Sequence, residues 1–221
     1  MKIRPVILCG GAGNRLWPNS KNHQAKQFID FGNWTLLLKA LNRINSSIYD
    51  IPIISTNKKY LKQVQQHLKK LKIKNYKLIL EPLKRNTAPA VLSAALIKDI
   101  PYEQPLIFFS ADQLMEKVNI FNKSIKKNKI NLTNQNIFIF GIKPTSPSSE
   151  YGYFITKKIN KNINKVIKFI EKPKLKIAKT IIKKNAYWNS GILFATKNSI
   201  LNNFKKYQSR TLDLCIDSVV N

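Results

Sequence analysis

Acidic residues are scarce in this chain: 11 Asp and Glu stand against 39 Lys and Arg among 221 residues, a formal net charge of +28. Cysteine is scarcer still. Cys9 and Cys215 are the two present, and they match no metal-binding spacing. They fit a reducing cytoplasm, with both thiols as small buried groups. No apolar run approaches the roughly 18 residues of a membrane span, so no membrane partner is expected. The N-terminus enters a strand-like run at once, which leaves no expected room for a secretory signal. The length suits one sizeable core with at most a small appendage.

The positive charge invites a nucleic-acid reading, but its composition argues otherwise. Lysine carries nearly all of it, arginine is scarce, and asparagine and isoleucine are equally inflated. Those three are residues of A/T-rich codons. The lysines are also scattered, in pairs such as Lys69-Lys70, Lys126-Lys127 and Lys183-Lys184, one pair to each expected helix. Solvated helix faces account for them. No specific nucleic-acid partner is expected, only weak, salt-sensitive attraction to polyanions.

The stretch Ile7-Leu8-Cys9-Gly10-Gly11-Ala12-Gly13-Asn14-Arg15 organises the rest. The apolar run Val6 to Leu8 reads as a strand buried on both faces, as a parallel sheet requires. It breaks into three glycines within four residues. Glycine lets backbone N–H groups approach a ligand closely, and successive N–H groups form an anion nest. Arg15 adds a planar fork of donors suited to phosphate oxygens.

Beyond this loop, apolar runs alternate with amphipathic ones. Helices are expected over Trp34–Ile44, Lys58–Lys72, Val118–Asn128, Leu175–Lys184 and Lys197–Tyr207, and from Thr87, as N-cap, to about Ile100. Strands are expected over Ile51–Ile54, Lys77–Leu80, Leu106–Phe109, Asn136–Ile142, Tyr151–Lys158, Val166–Glu171 and Gly191–Ala195. The alternation predicts an α/β fold, a mixed and mostly parallel sheet with helices on both faces.

Several polar residues fall at the ends of these strands. Asp112 closes the Leu106–Phe109 run on the edge that carries the glycine loop, where a carboxylate is suited to a hard divalent ion. Glu81-Pro82 leads through Arg85-Asn86-Thr87 into a helix; the amide and hydroxyl suit a base edge or ribose, and the arginine a phosphate. Gly152 offers an exposed backbone N–H, Glu171 a carboxylate for hydroxyls, Lys172 an ammonium for a phosphate, and Asn189 an amide.

The glycine loop fits neither the GxxxxGK[ST] nor the GxGxxG fingerprint. With Leu16-Trp17-Pro18 and Lys26-Gln27-Phe28 it resembles the signature of the sugar-phosphate nucleotidyltransferases, in particular their mannose-1-phosphate guanylyltransferase branch. Glu81 to Ala90, Gly152, Glu171 to Pro173 and Tyr187 to Gly191 follow in the family's order, and the resemblance covers Ile3 to about Tyr207.

The resemblance implies a Rossmann-like nucleotidyltransferase fold in one catalytic domain. Residues 1 to about 145 would be the nucleotide-binding half and about 146 to 221 the sugar-phosphate half. GTP and mannose 1-phosphate are the implied partners and Mg²⁺ the implied cofactor, with a homo-oligomer left open. Arg15, Lys26 and Asp112 would be catalytic. Cys9, Gly10, Gly11, Gly13, Asn14, Arg15, Glu81, Arg85, Asn86 and Thr87 would bind nucleotide. Gly152, Glu171, Lys172 and Asn189 would bind sugar phosphate, and Asp112 and Asp217 the metal.

Four departures stand out. Gln113 replaces the family's usual histidine, Ala25 its proline before the loop lysine, the catalytic region is shorter, and the C-terminal extension is absent. Three alternatives remain open at this level: the same fold using UTP or dTTP with glucose 1-phosphate, a catalytically impaired nucleotide-sugar-binding protein, and a polyanion binder.

Overall fold

The computed structural model describes residues 1–11, 25–83, 86–160 and 163–220, with Val219 and Val220 described by backbone alone. The chain packs as two compact units, Met1–Ile137 with Phe194–Asn221, and Phe138–Leu193. The C-terminal segment thus returns to the first unit. Buried side chains explain the return. Ser199 Oγ donates to the Asn136 carbonyl at 2.7 Å, and the Lys197 ammonium donates to the carbonyls of Ile97 and Ile100 at 2.9 and 2.8 Å.

In the first unit, strands β1 (Arg4–Leu8), β2 (Ile53–Asn57), β3 (Lys77–Glu81) and β4 (Pro105–Ser110) are all parallel, in the order β3-β2-β1-β4. Consecutive residues Val6-Ile7, Ile53-Ile54 and Leu106 to Phe109 are all fully buried. That burial marks a parallel sheet covered on both faces. The helices are α1 (Leu36–Arg43), α2 (Leu61–Lys70), α3 (Thr87–Ala95) and α4 (Val118–Asn128), then α6 (Lys197–Tyr207) and α7 (Ser209–Val220) after the second unit's α5 (Leu175–Ile181).

Strand order decides where a ligand can enter. From β1 to β2 to β3 the chain steps one way across the sheet, and from β3 to β4 it steps back over β2 and β1. Right-handed crossovers then put α1 and α2 on one face and α3 on the other. The packing agrees: α1 touches α2, while α3 touches α6 and α7. The reversal lies between β1 and β4, and open α/β sheets bind ligands at such a switch point, outside the carboxyl ends of the strands.

The second unit is antiparallel. Strand β6 (Tyr153–Lys158) pairs with β7 (Asn164–Ile170) and with β8 (Ala186–Thr196), and β5 (Phe138–Ile142) pairs with β8. Its core is Tyr153, Ala178, Ile181 and Ala186, with Ile155, Ile170, Ile182 and Trp188 packed around it. Strand β8 begins well before the expected Gly191, because Tyr187 and Trp188 pair with Phe154 and Tyr153. Asn189 thus lies within a strand. Helix α3 stops at Ala95, short of Ile100, and the carbonyls of Ile97 and Ile100 beyond it accept from the Lys197 ammonium.

Candidate active site

The carboxyl ends of β1, β2, β3 and β4 lie level, with Leu8 beside Ser55 and Ser110, and Asn57 beside Glu81. Backbone bonds carry the ladder one residue further. Cys9 N–H donates to the Ser55 carbonyl at 2.7 Å and Ala111 N–H to the Leu8 carbonyl at 3.0 Å. The start of the glycine loop, Glu81 and Asp112 are thereby brought to one edge.

Glu81 is anchored there. Ser55 Oγ donates to its Oε1 at 2.6 Å, and the carboxylate lies over Gly10, whose Cβ, if present, would sit 3.0 Å from Oε1. A Cβ at position 10 would have to push the Glu81 carboxylate aside by a few tenths of an ångström. Gln27, itself buried, donates from Nε2 to the carbonyls of Cys9 at 3.0 Å and Gly11 at 3.1 Å. Those two bonds tie the loop to the 3₁₀ turn Lys26–Phe28 and occupy its carbonyls.

Cys9 supports the loop. Its N–H and carbonyl are spent on protein partners, and burial pushes its thiol up to about 12. Gly13, Asn14, Arg15 and Arg85 lie outside the described residues.

Lys26 and Asp112 meet: Nζ is 3.5 Å from Oδ2, with both side chains partly exposed. Ser110 Oγ donates to the other carboxylate oxygen. A carboxylate at a strand end is the kind of ligand taken by a divalent ion that uses one or two carboxylates and completes its shell with phosphate oxygens and water. Among the described residues no group of three or more His, Cys, Asp and Glu forms a cage made of protein alone. Asp217 is exposed near the end of α7.

Asn86 and Thr87 are exposed at the start of α3. Thr87 is not the cap expected from sequence. Asn86 holds the cap position without a capping side-chain bond, at φ 63° and ψ −167°, a region that side-chain-bearing residues rarely adopt. Asn86 is thus non-helical, and Thr87 is the first helical residue.

In the second unit, Glu171 covers Gly152. A Cβ on Gly152 would lie 2.8 Å from Glu171 Oε2 and 3.0 Å from Phe169 Cζ. Here glycine makes room for a carboxylate. Asn189 N–H donates to the Gly152 carbonyl at 2.8 Å, and Asn189 Oδ1 accepts from Gly191 N–H at 3.1 Å. Lys172 is exposed at φ 39°. These residues converge within the unit, and the Tyr151 and Trp188 rings meet beside them at 4.9 Å.

Sequence reasoning overlooked three supports: Ser55, the stapling role of Gln27, and Arg43, whose guanidinium is buried and donates to the Gln113 carbonyl beside Asp112. The signals were present as a serine inside an apolar strand and an arginine on the leucine face of α1.

Among the described residues no helix is long and apolar enough to cross a membrane. The nucleotidyl transferase family matches residues 4–220. A mannose-1-phosphate guanylyltransferase of Escherichia coli is 35% identical over 98% of this chain and 49% of its own length. The alginate biosynthesis protein AlgA of Pseudomonas putida is 30% identical over 96% of this chain and 45% of its own. The chain thus spans about half the length of the curated relatives it matches. Among solved structures, a mannose-1-phosphate geranyltransferase from Thermus thermophilus superposes with a TM-score of 0.85 at 23% identity, over 100% of this chain and 65% of that one. A mannose-6-phosphate isomerase from Helicobacter pylori gives 0.79 at 28% identity, over 98% and 79%. With a switch-point glycine loop, a carboxylate at the next strand end and this match along nearly its whole length, the chain belongs to the nucleotidyl transferase family.

Proposed function

We propose that this chain transfers a guanylyl group from GTP to α-mannose 1-phosphate, giving GDP-mannose and pyrophosphate. The observation that carries the reading is the Lys26–Asp112 pair at 3.5 Å on the edge where the glycine loop begins. An anion nest, a mobile cation and a metal-binding carboxylate are what a triphosphate requires. The relatives named above support the choice of sugar and base.

In this reading a phosphate oxygen of mannose 1-phosphate attacks the α-phosphorus of GTP. A new P–O bond forms, the bridge to the β-phosphorus breaks, and pyrophosphate leaves with the electron pair. The attacking phosphate is largely dianionic at neutral pH, its second pKa being about 6, so no general base is needed. Catalysis is then positioning and charge neutralisation. Gly10, Gly11 and Gly13 hold the triphosphate with Asn14 and Arg15, and Lys26 neutralises charge as it grows. Asp112, with Asp217 as a second carboxylate, would hold Mg²⁺, which would supply positive charge against the phosphates. Asn86, Thr87 and Arg85 line the nucleotide, and Gly152, Glu171, Lys172 and Asn189 take the sugar phosphate.

Glu81 suggests why the base is guanine. Guanine presents two adjacent donors, N1–H and the N2 amino group, which one carboxylate accepts together. Uracil and thymine present a single N–H between two carbonyls, which a carboxylate repels.

Pyrophosphate release by this chain across GTP, UTP and dTTP, each with mannose and glucose 1-phosphates, tests the proposal. Turnover should require GTP and mannose 1-phosphate. Turnover with UTP or dTTP alone would overturn the base assignment. Folded protein that binds GTP without turnover would make this chain a nucleotide-binding protein instead.

A further inference from the structure

Arg43 is the last residue of α1 and 4% exposed. Its Nη2 donates to the carbonyl of Gln113, and its guanidinium lies 5.2 Å from the Phe109 ring centroid. Among the described residues its Nη1 has no hydrogen-bond partner and no carboxylate pairs with it. Burial lowers its pKa below the ordinary value, with Tyr49 opposing. Burying a charge is costly unless it is paired, and an apolar residue would fill the space more cheaply. One carbonyl at a partly exposed strand end would also find water without help.

The placement of α1 accounts for that cost. At its start Thr35 Oγ1 accepts from Leu38 N–H at 3.1 Å and bonds His67 Nε2 at 3.0 Å. Phe28 packs on the same His67 ring at 5.6 Å, and the turn Lys26–Phe28 packs against α1. The far end of α1, through Arg43, grips the residue after Asp112. One rigid helix therefore carries both the Lys26 turn and the Asp112 turn, and their side chains meet at 3.5 Å.

We infer that Arg43 is a positioning residue: it locks the Asp112–Gln113 turn to α1 so that the Asp112 carboxylate, paired with Lys26, stays in place to hold a divalent ion. This rests on the reading of Asp112 as a metal ligand. The guanidinium acts through the backbone, touches no substrate, and its planar fork holds a carbonyl in a direction that water would not fix.

The experiment uses Mn²⁺ as a spin probe, its binding to the full chain with GTP followed by EPR beside thermal unfolding of each protein. Arg43→Met keeps an unbranched stem over Phe109 and removes the charge and the donors. The Mn²⁺ dissociation constant should rise about tenfold, the low end for loss of an outer-shell partner, while GTP affinity holds. Arg43→Lys, which retains a charge and a donor, should fall between Arg43→Met and the parent. Asp112→Asn should weaken Mn²⁺ at least as much. Unchanged Mn²⁺ affinity in Arg43→Met and Arg43→Lys, with a loss in Asp112→Asn, would reduce Arg43 to a structural residue. No loss in Asp112→Asn would remove the ligand assignment and this inference with it. Should Arg43→Met fail to fold, Arg43→Lys decides, and parental Mn²⁺ affinity there overturns the inference.

Discussion

In the first unit, three parts of the candidate site stand on the carboxyl edge of a parallel sheet and are gripped by a side chain beneath or beside them. Ser55 holds Glu81, Gln27 holds the carbonyls of the glycine loop, and Arg43 holds the turn at Asp112. In the second unit, candidate residues flank antiparallel strands and are placed by steric fit. Glu171 lies over Gly152, its Oε2 2.8 Å from where a Cβ would sit, and Asn189 is set by its strand bond to the Gly152 carbonyl. The contrast follows from what each set would do. Charge stabilisation in a transition state depends on donors fixed in advance, so polar struts are worth burying there. Recognition of a small ring of hydroxyls depends on shape, and glycine with close packing supplies it.

The largest expected effect falls on the first unit. Lys26 faces Asp112 and would neutralise charge that grows during transfer, so Lys26→Ala should lower kcat on the order of 10²-fold or more. Steady-state kinetics with both substrates varied check it. A raised KM at unchanged kcat would make Lys26 a ground-state binder, and the division between charge in one unit and shape in the other would lose its main support.

A smaller effect should follow in the second unit. Gly152→Ala forces the Glu171 carboxylate away from a Cβ that would otherwise lie 2.8 Å from it. The KM for mannose 1-phosphate should rise about tenfold, equivalent to the roughly 1–3 kcal/mol of an overpacked contact, while the KM for GTP holds. Gly10→Ala is the matched test in the first unit, where a Cβ would meet Glu81 at 3.0 Å. Because Ser55 anchors Glu81, strain there should appear in the KM for GTP. If both substitutions raised the same KM, the two units would not divide the substrates as proposed.

How much could be read in advance follows the range of the forces involved. Helices α4 and α6 match their expected bounds residue for residue, since amphipathic spacing and local stop signals are short-range. The overlong α3 came from Leu96 and Ile97, which continue its apolar pattern. Past the end of α3 the Ile97 carbonyl instead meets the Lys197 ammonium, 100 positions away. The candidate site residues could be named because carboxylates, glycines and amides at strand ends announce themselves by type. Their supports could not: Ser55 reaches Glu81 across 26 positions and Arg43 reaches Gln113 across 70. Those contacts exist only once parallel strands have found their register, which no local pattern encodes.

The smallest effect concerns a titratable group buried under the first unit's site edge. Desolvation disfavours the thiolate of Cys9 and raises its pKa from 9.0 to about 12 in the folded protein, and the Tyr49 hydroxyl is raised by the same cause. A raised acid keeps its proton when folded at pH values where the unfolded chain has released it. The stability this represents is therefore whole below pH 9 and is lost as pH climbs from there toward 12. For one such group the slope approaches about 1.4 kcal/mol per pH unit. Denaturant unfolding at pH 8, 9 and 10 should show this loss in the parent protein and a shallower one in Cys9→Ala, which removes the thiol from both states. The comparison isolates Cys9 from Cys215, whose thiol is shifted in the same direction by partial burial in α7 and is present in both proteins. Equal slopes in the two proteins, or rapid alkylation of Cys9 in the native state at pH 9, would mean that the strand end beneath the glycine loop is open to water. The first unit's edge would then be no more rigidly built than the second's.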